Sequence, residues 1–544
     1  MNKAHQSLLL LQKQIHHSLE VETASLTGQL PNSIKKYKAE FERTLRQQKQ
    51  TARIISAAAL IATIKKHDVS FIADLHTFAQ AQRTALRILR QSIKCDENWL
   101  LGLEIVPSSL QSQLDAYING DLDLSKLNSL INFQEVWGFP WKNYVPIFEW
   151  ARTNKVRIIG LNTRNLSDTL VKRDTWAAAV ITEALKRQIP NKKKTRMIVL
   201  YGEWHLSSNH LPKILQKLFQ RETSKKLSSI SIHQNIDFLY WKLAKKRKEL
   251  EVNVVKLGKK DFCIVSATPW AKLQSLANWA EGTPEDSEHD YLSHIRNYGN
   301  IIANFFNVPA VSFDSLSIKT LREANFPSKL SRRIFTANEI KLLHELVLAN
   351  QRFYISKTKT AYLAVPSPNA AAEMAAIHLF RSTVEMASEF RADADCFSEV
   401  ILEYAFGFLG SLIINPRRKC DLIEDHRVRL KDLERTGYKE IYRNEKKTRA
   451  VTIEIAGRQL ERSHVRRVIG HVKNRTVLIV CARHLGEMTA KDLYNRILSQ
   501  SIPIESVRSL FFDRVIEEDP FTVYSKIAAL AGMPKTEKSK SEKF

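Results

Sequence analysis

Cysteine is scarce in this 544-residue chain, and its five cysteines show no pairing pattern. They are Cys95, Cys263, Cys396, Cys420 and Cys481, and no two of them form a Cys-x-x-Cys pair. An odd number of widely spaced cysteines argues against a disulfide framework and against a cysteine zinc site. The composition therefore predicts a protein of a reducing compartment.

Long hydrophobic runs are also missing. The apolar run at residues 7–11 is too short for the hydrophobic region of a signal peptide, and neither a small-residue cleavage pattern nor a lipobox cysteine follows it. The longest later run, residues 405–414, is about half as long as a bilayer span requires. We therefore expect a cytoplasmic protein without a transmembrane segment.

Several familiar catalytic motifs are absent. The sequence contains no Gly-x-Ser-x-Gly elbow, no Walker motif, no His-Glu-x-x-His and no Gly-x-Gly-x-x-Gly. Serine hydrolases of the elbow type, P-loop proteins, zincins and dinucleotide-binding Rossmann domains therefore have no support.

Acidic residues are outnumbered: 83 Lys and Arg stand against 57 Asp and Glu, a formal net charge of +26. This excess favours acidic partners such as nucleic acid, an anionic membrane surface or a carboxylate-bearing ligand, without choosing among them. With 44% hydrophobic residues over this length, the chain can bury cores in two or more domains.

Four stretches share one pattern, a short apolar run that ends in acidic residues, Asn or His and then turns towards a helix. They are residues 69–76, 99–105, 155–162 and 196–205. Strands that alternate with helices predict an α/β domain with a parallel or mostly parallel sheet flanked by helices. Runs at 236–243 and 262–267 are predicted to add two more strands.

The rest of the chain changes character twice. A run that is apolar on nearly every face, residues 397–414, predicts a buried helix, and residues 476–482 predict a strand. The predicted organisation is a helical N-terminal arm (1–57), the α/β domain (58–267), a helical bridging region (268–328), a mainly α-helical domain (329–436), a small basic α+β module (437–532) and a disordered tail (533–544).

Acidic and histidine residues mark the ends of the predicted strands. In a parallel sheet these ends lie along one edge, where ligands bind, so Asp74, His76, Glu104, Glu203 and His205 are expected to converge. Because side chains alternate along a strand, Asp74 and His76 should point the same way, as should Glu203 and His205. An acid beside an imidazole suits metal ligation or acid–base chemistry.

The residues around these strand ends resemble the ChaN-like haem-binding family, which is related to the erythromycin-esterase and TraB/Tiki group. The resemblance rests on residues 73–82, 102–121, 137–151, 155–163 and 199–212, and covers about residues 58–265. The family's Gly-Glu-x-His motif falls on residues 73–76, its central Glu on Glu104, and its Gly-x-x-His motif on residues 202–205. Ala73 and Asp74 replace the usual Gly and Glu.

This resemblance implies haem as the cofactor and a role in haem or iron handling. Haem needs an axial His or Tyr, an apolar slot and cations for its propionates. The implied ligand set is Asp74, His76, Glu104, Tyr144, Glu203 and His205, with aromatic residues Trp137, Phe139, Trp141, Phe148 and Trp150, and cations Arg83, Lys142 and Arg164. By analogy with the family, two chains form a homodimer. The absent secretion signal argues against iron uptake at a cell surface.

A hydrolase is the alternative. His76 or Glu104 activates water, either directly or on a divalent metal held by His76 and His205, while the second acid orients its histidine. The shorter acid at Asp74 favours binding over catalysis, because it displaces the carboxylate. The sequence leaves open whether the protein is an enzyme.

A third hypothesis concerns residues 439–475, which hold eleven Lys and Arg against four Glu. Arg462, Arg466 and Arg467 share one helix face and would meet the phosphates of a nucleic acid. The segment has no recognised nucleic-acid motif, so a solvated helix face or a surface for an acidic partner explains it as well.

Overall fold

The computed structural model describes most of the chain as two compact units. The described residues are 3–28, 31–48, 52–93, 98–163, 168–187, 195–280, 291–320, 323–349, 351–364, 367–384, 394–435, 443–456, 461–513 and 519–532. Those within His16–Ser287 form the α/β unit, and those within Met1–Ile15 and Glu288–Ser541 form the helical unit. The predicted tail, 533–544, lies outside the described residues.

Strands and helices alternate from the N terminus to Ala280. The elements are α1 (Lys3–Thr27), α2 (Asn32–Gln47), β1 (Arg53–Ile55), α3 (Ala57–Ile64), β2 (Val69–Asp74), α4 (Ala79–Ser92), β3 (Asn98–Pro107), α5 (Gln111–Asn119), α6 (Leu124–Ile131), α7 (Phe133–Trp137), α8 (Val145–Thr153), β4 (Arg157–Asn162), α9 (Leu170–Lys186), β5 (Thr195–Gly202), α10 (Leu211–Thr223), β6 (Ser229–Gln234), α11 (Asp237–Lys245), β7 (Val254–Lys256), β8 (Asp261–Ile264) and α12 (Pro269–Ala280).

The eight strands form one mostly parallel sheet, as predicted, in the order β1-β7-β8-β6-β2-β5-β3-β4. Only the pairs β1/β7 and β7/β8 are antiparallel. All six residues of β2 are buried, because helices cover both faces of the sheet. Successive residues serve opposite faces: Phe71 joins one hydrophobic cluster and Ile72 the other.

The strand predicted at 236–243 is wrong, since these residues lie almost entirely in α11, and the strand is the preceding β6. Asn235 has a positive φ of 51°, which ends the strand, and Asp237 then begins the helix. A short apolar run does not distinguish a buried helix from a buried strand, and β6, with Ser and His among its residues, is less apolar than the helix. Residues 53–55 of the predicted helical arm form β1, at the end of the sheet.

The helical unit contains the remaining elements. They are α13 (Tyr291–Phe306), β9 (Ser317–Thr320), α14 (Ala337–Leu348), β10 (Phe353–Ile355), β11 (Thr360–Leu363), α15 (Pro368–Thr383), α16 (Ala394–Ile414), α17 (Ile423–Arg435), α18 (Arg443–Ala456), α19 (Arg462–Gly470), α20 (Arg475–Ser499), α21 (Ile504–Phe512) and α22 (Pro520–Ala531). Strands β10, β11 and β9 form a small sheet, so the region predicted as helical from 329 to 436 also contains two strands.

The strand predicted at 476–482 is also wrong, because these residues form the first turns of α20. The Asn474 side chain accepts a hydrogen bond from the backbone N–H of Val477 and so caps this helix. Packing of α20 against other helices overrides the β preference of its Thr, Val and Ile residues. Within the described part of 437–532, every regular element is a helix.

The apolar helix predicted at 397–414 is confirmed as α16. Its segment Asp395–Ile414 is the one helix among the described residues that is long and apolar enough to cross a membrane, and its apolar stretch is fully buried within the protein. The core helix of a soluble protein has the same properties, so this helix is weak evidence for a membrane span.

Candidate ligand site at the carboxyl edge of the sheet

Three adjacent strands bring the predicted site residues together. Strand β5 lies between β2 and β3, and Asp74 at the end of β2 pairs in register with Gly202 at the end of β5. Glu104 lies on the same edge, on β3. The predicted convergence of Asp74, His76, Glu104 and His205 is therefore seen in the structure.

His76 is held by a buried carboxylate. Its Nδ1 donates a hydrogen bond to Oδ2 of Asp74 over 2.9 Å, and the Tyr144 hydroxyl donates to the same oxygen over 2.7 Å. Gln82 donates to the other oxygen of Asp74. Because Nδ1 carries the proton, Nε2 of the neutral imidazole is left as an acceptor.

His205 is held in the same way by a residue that the sequence analysis missed. Its Nδ1 donates to Oδ1 of Asp174 over 2.6 Å. The Tyr37 hydroxyl donates to Oδ2 of Asp174 over 2.5 Å and lies 3.1 Å from His205 Nδ1. The edge thus carries two Tyr–Asp–His sets of the same design.

Glu104 lies between the two histidines as a buried, ionised carboxylate. It accepts hydrogen bonds from Arg173 and, over 2.5 Å, from the backbone N–H of Gly202. Burial alone would raise the pKa of Glu104, but the charges of Arg173, His205 and His76 and the N–H of Gly202 outweigh it and lower that pKa.

The two imidazoles approach Glu104 from different sides. Nε2 of His76 is 3.7 Å from Oε2 of Glu104, and Nε2 of His205 is 3.9 Å from Oε1. Both distances exceed a hydrogen bond, and within the described residues neither Nε2 has a hydrogen-bond partner. Burial lowers the pKa of His76, but the Asp74 and Glu104 carboxylates more than compensate and raise it.

Gly202 is the point where these groups meet. A Cβ at this position would lie 3.1 Å from Oε2 of Glu104, 3.3 Å from Cδ2 of His205 and 3.6 Å from Nε2 of His76. A side chain here would therefore occupy the space between the three residues. This gives a local reason for the glycine in the segment 202–205.

Only part of the predicted aromatic set borders the site. Phe139 stacks on the His76 ring with centroids 5.0 Å apart, and Trp137 lies 5.3 Å from it. Trp141 and Phe148 pack on each other, and all five rings lie in or against the hydrophobic core on one face of the sheet. Of the five rings, only Trp137 and Phe139 therefore also lie beside the His76 imidazole.

Glu203 and Tyr144, both predicted as ligands, do not present their side chains to the site as expected. Residues 203–206 form a short 3-10 helix rather than extended strand, so Glu203 does not point with His205. Its carboxylate lies 3.8 Å from the Lys272 ammonium instead. Tyr144 is fully buried, and burial together with the Asp74 charge raises the pKa of its hydroxyl well above the ordinary value.

The residues that sequence reasoning missed are Tyr37, Arg173 and Asp174. Arg173 and Asp174 lie near the start of α9, the helix that follows β4. Helices that follow parallel strands begin at the carboxyl edge, so an Arg-Asp pair at this position was an available signal. Tyr37 lies on α2, more than a hundred residues before its partner, and no local pattern marks it.

The structure describes two of the three predicted cations. Arg83 and Lys142 are exposed, and Arg164 lies outside the described residues. Within the described part of the chain, no group of three or more His, Cys, Asp or Glu side chains is arranged to hold a metal ion.

The basic segment 439–475 is described in part, since its residues 439–442 and 457–460 lie outside the described residues. Arg462 is paired with Asp395 and Asp519. Arg466 and Arg467 are exposed. Binding of nucleic acid by this segment stays a prediction.

A family model matches part of the region that forms the site. The family model for the haem-binding uptake family of the Tiki superfamily, ChaN, matches residues 60–197. No curated protein matches the chain. A solved structure described as cofacial heme binding to ChaN of Campylobacter jejuni is similar at 15% identity and a TM-score of 0.27, and the match covers 39% of this chain and 92% of that one. The resemblance predicted from the sequence is therefore confirmed over residues 60–197, which match the ChaN family of haem-binding proteins.

Proposed function

We propose that the α/β unit binds haem at the carboxyl edge of its sheet, with His76 as the axial ligand. The family match supports haem as the ligand class. Two observations on His76 favour it as the axial ligand. Its side chain is 17% exposed, and its Nδ1 is fixed by a hydrogen bond to Asp74.

His76 has the features of a haem-ligating histidine. A carboxylate that accepts a hydrogen bond from Nδ1–H fixes the tautomer and makes the Nε2 lone pair a stronger ligand for iron. Phe139 and Trp137 lie beside the imidazole and offer apolar rings to one side of a porphyrin.

The other two predicted axial ligands fit less well. The Tyr144 hydroxyl is fully buried and donates to Asp74, and a raised pKa disfavours the phenolate that binds iron. The His205 side chain is 6% exposed and lies behind Tyr37. Both residues are therefore assigned to support the site rather than to contact iron.

Hydrolysis is a second candidate, and the paired Tyr–Asp–His sets favour it. A histidine oriented by a carboxylate can accept a proton from water and return it to a leaving group. Glu104 is held ionised by Arg173 and Gly202, so its lowered pKa makes it a weak base. His76 is then the base, and Glu104 stabilises the imidazolium that forms.

A visible-light titration with haem tests the first candidate. The purified protein, His76→Ala, His205→Ala and a control, His471→Ala, are titrated side by side; His471 is exposed and lies in the helical unit. We expect a saturable Soret band at one haem per chain that is lost or shifted in His76→Ala and kept in the other two. A band that does not saturate, or one that His76→Ala leaves unchanged, contradicts the proposal.

The same proteins test the second candidate with a chromogenic ester. Hydrolysis by the wild type, loss of activity in His76→Ala and recovery on addition of free imidazole would support acid–base catalysis by His76. Equal hydrolysis by wild type and His76→Ala would exclude this role for His76.

A further inference from the structure

Helix α2 (Asn32–Gln47) reaches the site, although it precedes the residues 60–197 that match the family. Its Tyr37 bonds to Asp174 and lies against the His205 imidazole, with ring centroids 5.4 Å apart. On another side of the same imidazole, the Tyr201 ring lies 5.0 Å away. His205 is thus enclosed by two tyrosines, Tyr201 from β5 and Tyr37 from α2, and all three residues lie outside the matched residues 60–197.

The helix is fastened to the loop that carries His205. Tyr37 stacks on His210 with centroids 3.8 Å apart, and Nε2 of His210 lies 3.3 Å from Glu40. Thr44 contacts Ser207 over 3.2 Å. Tyr37, Phe41 and Leu45, spaced by four residues, form the buried face of the helix. All these contacts lie within the α/β unit.

The His76 side and the His205 side of the site differ in exposure because α2 covers His205. The tyrosine that supports His76 is Tyr144, which contacts Asp74 from the core and leaves the His76 side chain 17% exposed. The tyrosine that supports His205 also covers it, and that side chain is 6% exposed. The same hydrogen-bond design therefore gives one accessible and one covered histidine.

We propose that α2 is an integral part of the ligand site, in which Tyr37 positions His205 and shields it, so that ligands meet the site at His76. This inference rests on the proposed function only in taking this edge of the sheet as the ligand site. Burial and the Asp174 carboxylate raise the pKa of Tyr37, so its hydroxyl stays a donor to Asp174.

Carbethoxylation of histidines by diethyl pyrocarbonate tests the proposal without haem. The rate at each histidine is read by peptide mass spectrometry in wild type, Tyr37→Ala and Tyr37→Phe, and each rate is divided by that of the same residue in wild type. This ratio removes differences in intrinsic reactivity between residues. His471, exposed in the helical unit, is the internal reference.

We expect Tyr37→Ala to raise the rate at His205 severalfold while the rates at His76 and His471 stay unchanged. Tyr37→Phe keeps the ring and should keep His205 close to its wild-type rate. A general stabilising role for Tyr37 would raise the rates at all histidines of the unit together. An unchanged rate at His205 in Tyr37→Ala would overturn the proposal.

A second variant covers the case in which Tyr37→Ala does not fold. All nine tryptophans of the chain lie between Trp99 and Trp279, so tryptophan fluorescence reports on the α/β unit alone. The double variant Glu40→Ala/Thr44→Ala keeps Tyr37 but removes two attachments of α2, and it should also raise the rate at His205 selectively. If haem fails to bind and this pattern still appears, only the haem proposal fails.

Discussion

His76 and His205 face different oxygens of one buried carboxylate. Their Nε2 atoms lie 3.7 Å and 3.9 Å from Oε2 and Oε1 of Glu104, while each Nδ1 is bonded to its own aspartate. A positive charge on either imidazole is stabilised by Glu104, and Arg173 keeps Glu104 ionised. The arrangement places two oriented imidazoles around one fixed negative charge, which a ligand or a proton-transfer reaction can use.

The ion pair of Arg173 with Glu104 should be important for stability. Arg173→Met leaves a buried carboxylate without its cation, and loss of one partner of a buried pair costs about 3–5 kcal/mol. Chemical denaturation at pH 7, followed by tryptophan fluorescence, measures the free energy of unfolding of the α/β unit. The control is Arg157→Met, since Arg157 and Asp115 are 40% and 34% exposed. An exposed pair contributes about 0–1 kcal/mol, so equal losses in the two variants would contradict the assignment.

Tyr144 should stabilise the Asp74 carboxylate through its hydroxyl. Tyr144→Phe removes a buried hydrogen bond to a charged group, which costs about 1.5–3 kcal/mol. The matched control is Tyr201→Phe, because the Tyr201 hydroxyl is buried and has no hydrogen-bond partner among the described residues. Denaturation of both variants should show a loss for Tyr144→Phe and none for Tyr201→Phe. A comparable loss in both would mean that the hydrogen bond from Tyr144 to Asp74 is not the cause of the loss.

His76 should contribute to stability in a pH-dependent manner. Its pKa is raised in the folded protein, so its contribution is complete below about pH 6.5 and is lost as the pH rises through the folded-state pKa. The free energy of unfolding of wild type minus that of His76→Gln should therefore be larger at pH 6 than at pH 8.5.

A second histidine provides the control of opposite sign. Burial lowers the pKa of His378 in the helical unit, so its contribution is present above about pH 6.5 and is lost as the pH falls through the folded-state pKa. The difference between wild type and His378→Gln, followed by circular dichroism, should grow with pH. The same slope for both histidines would show that neither difference reports on its own residue.

Gly486 should be required for the contact between α16 and α20. A Cβ at this position would lie 2.6 Å from the carbonyl oxygen of Ile401 and 2.8 Å from the backbone nitrogen of Ala405. Gly486→Ala should destabilise the helical unit by about 1–3 kcal/mol or more, despite the higher helix propensity of alanine. Gly470→Ala is the control, since a Cβ there would meet nothing within 4 Å. Thermal unfolding followed by circular dichroism should show a loss for Gly486→Ala only.

The sequence identified both histidines and Glu104 but not the residues that hold His205 and Glu104. Glu104 lies on an apolar strand, and His76 and His205 follow two others, and the carboxyl ends of these strands share an edge. Glu203 was misplaced because strand alternation was extended into residues that form a 3-10 helix. Asp174, the partner of His205, was missed because it lies on a helix, where strand alternation does not apply.

The errors in secondary structure have a common physical origin. The runs at 236–243 and 476–482 were both read as strands and are both helices. Apolar and β-branched side chains fit the interior of either element, and the choice depends on the surface against which they pack. In contrast, β2 and β5 were placed correctly because a Gly, Asp or His follows each apolar run and ends it.

By itself, the sequence determined that the first half of the chain is an α/β domain with imidazole and carboxylate groups at one edge of its sheet. The periods of strands and helices are local patterns that can be read along the chain. In a parallel sheet, strands end on the same side, so these patterns also place the strand ends together. Only the tertiary structure decided which acid holds which histidine and which histidine is covered. Tyr37 and His205 are far apart in sequence, and they meet because α2 packs its apolar face against the loop after β5, a contact that folding of the whole unit selects.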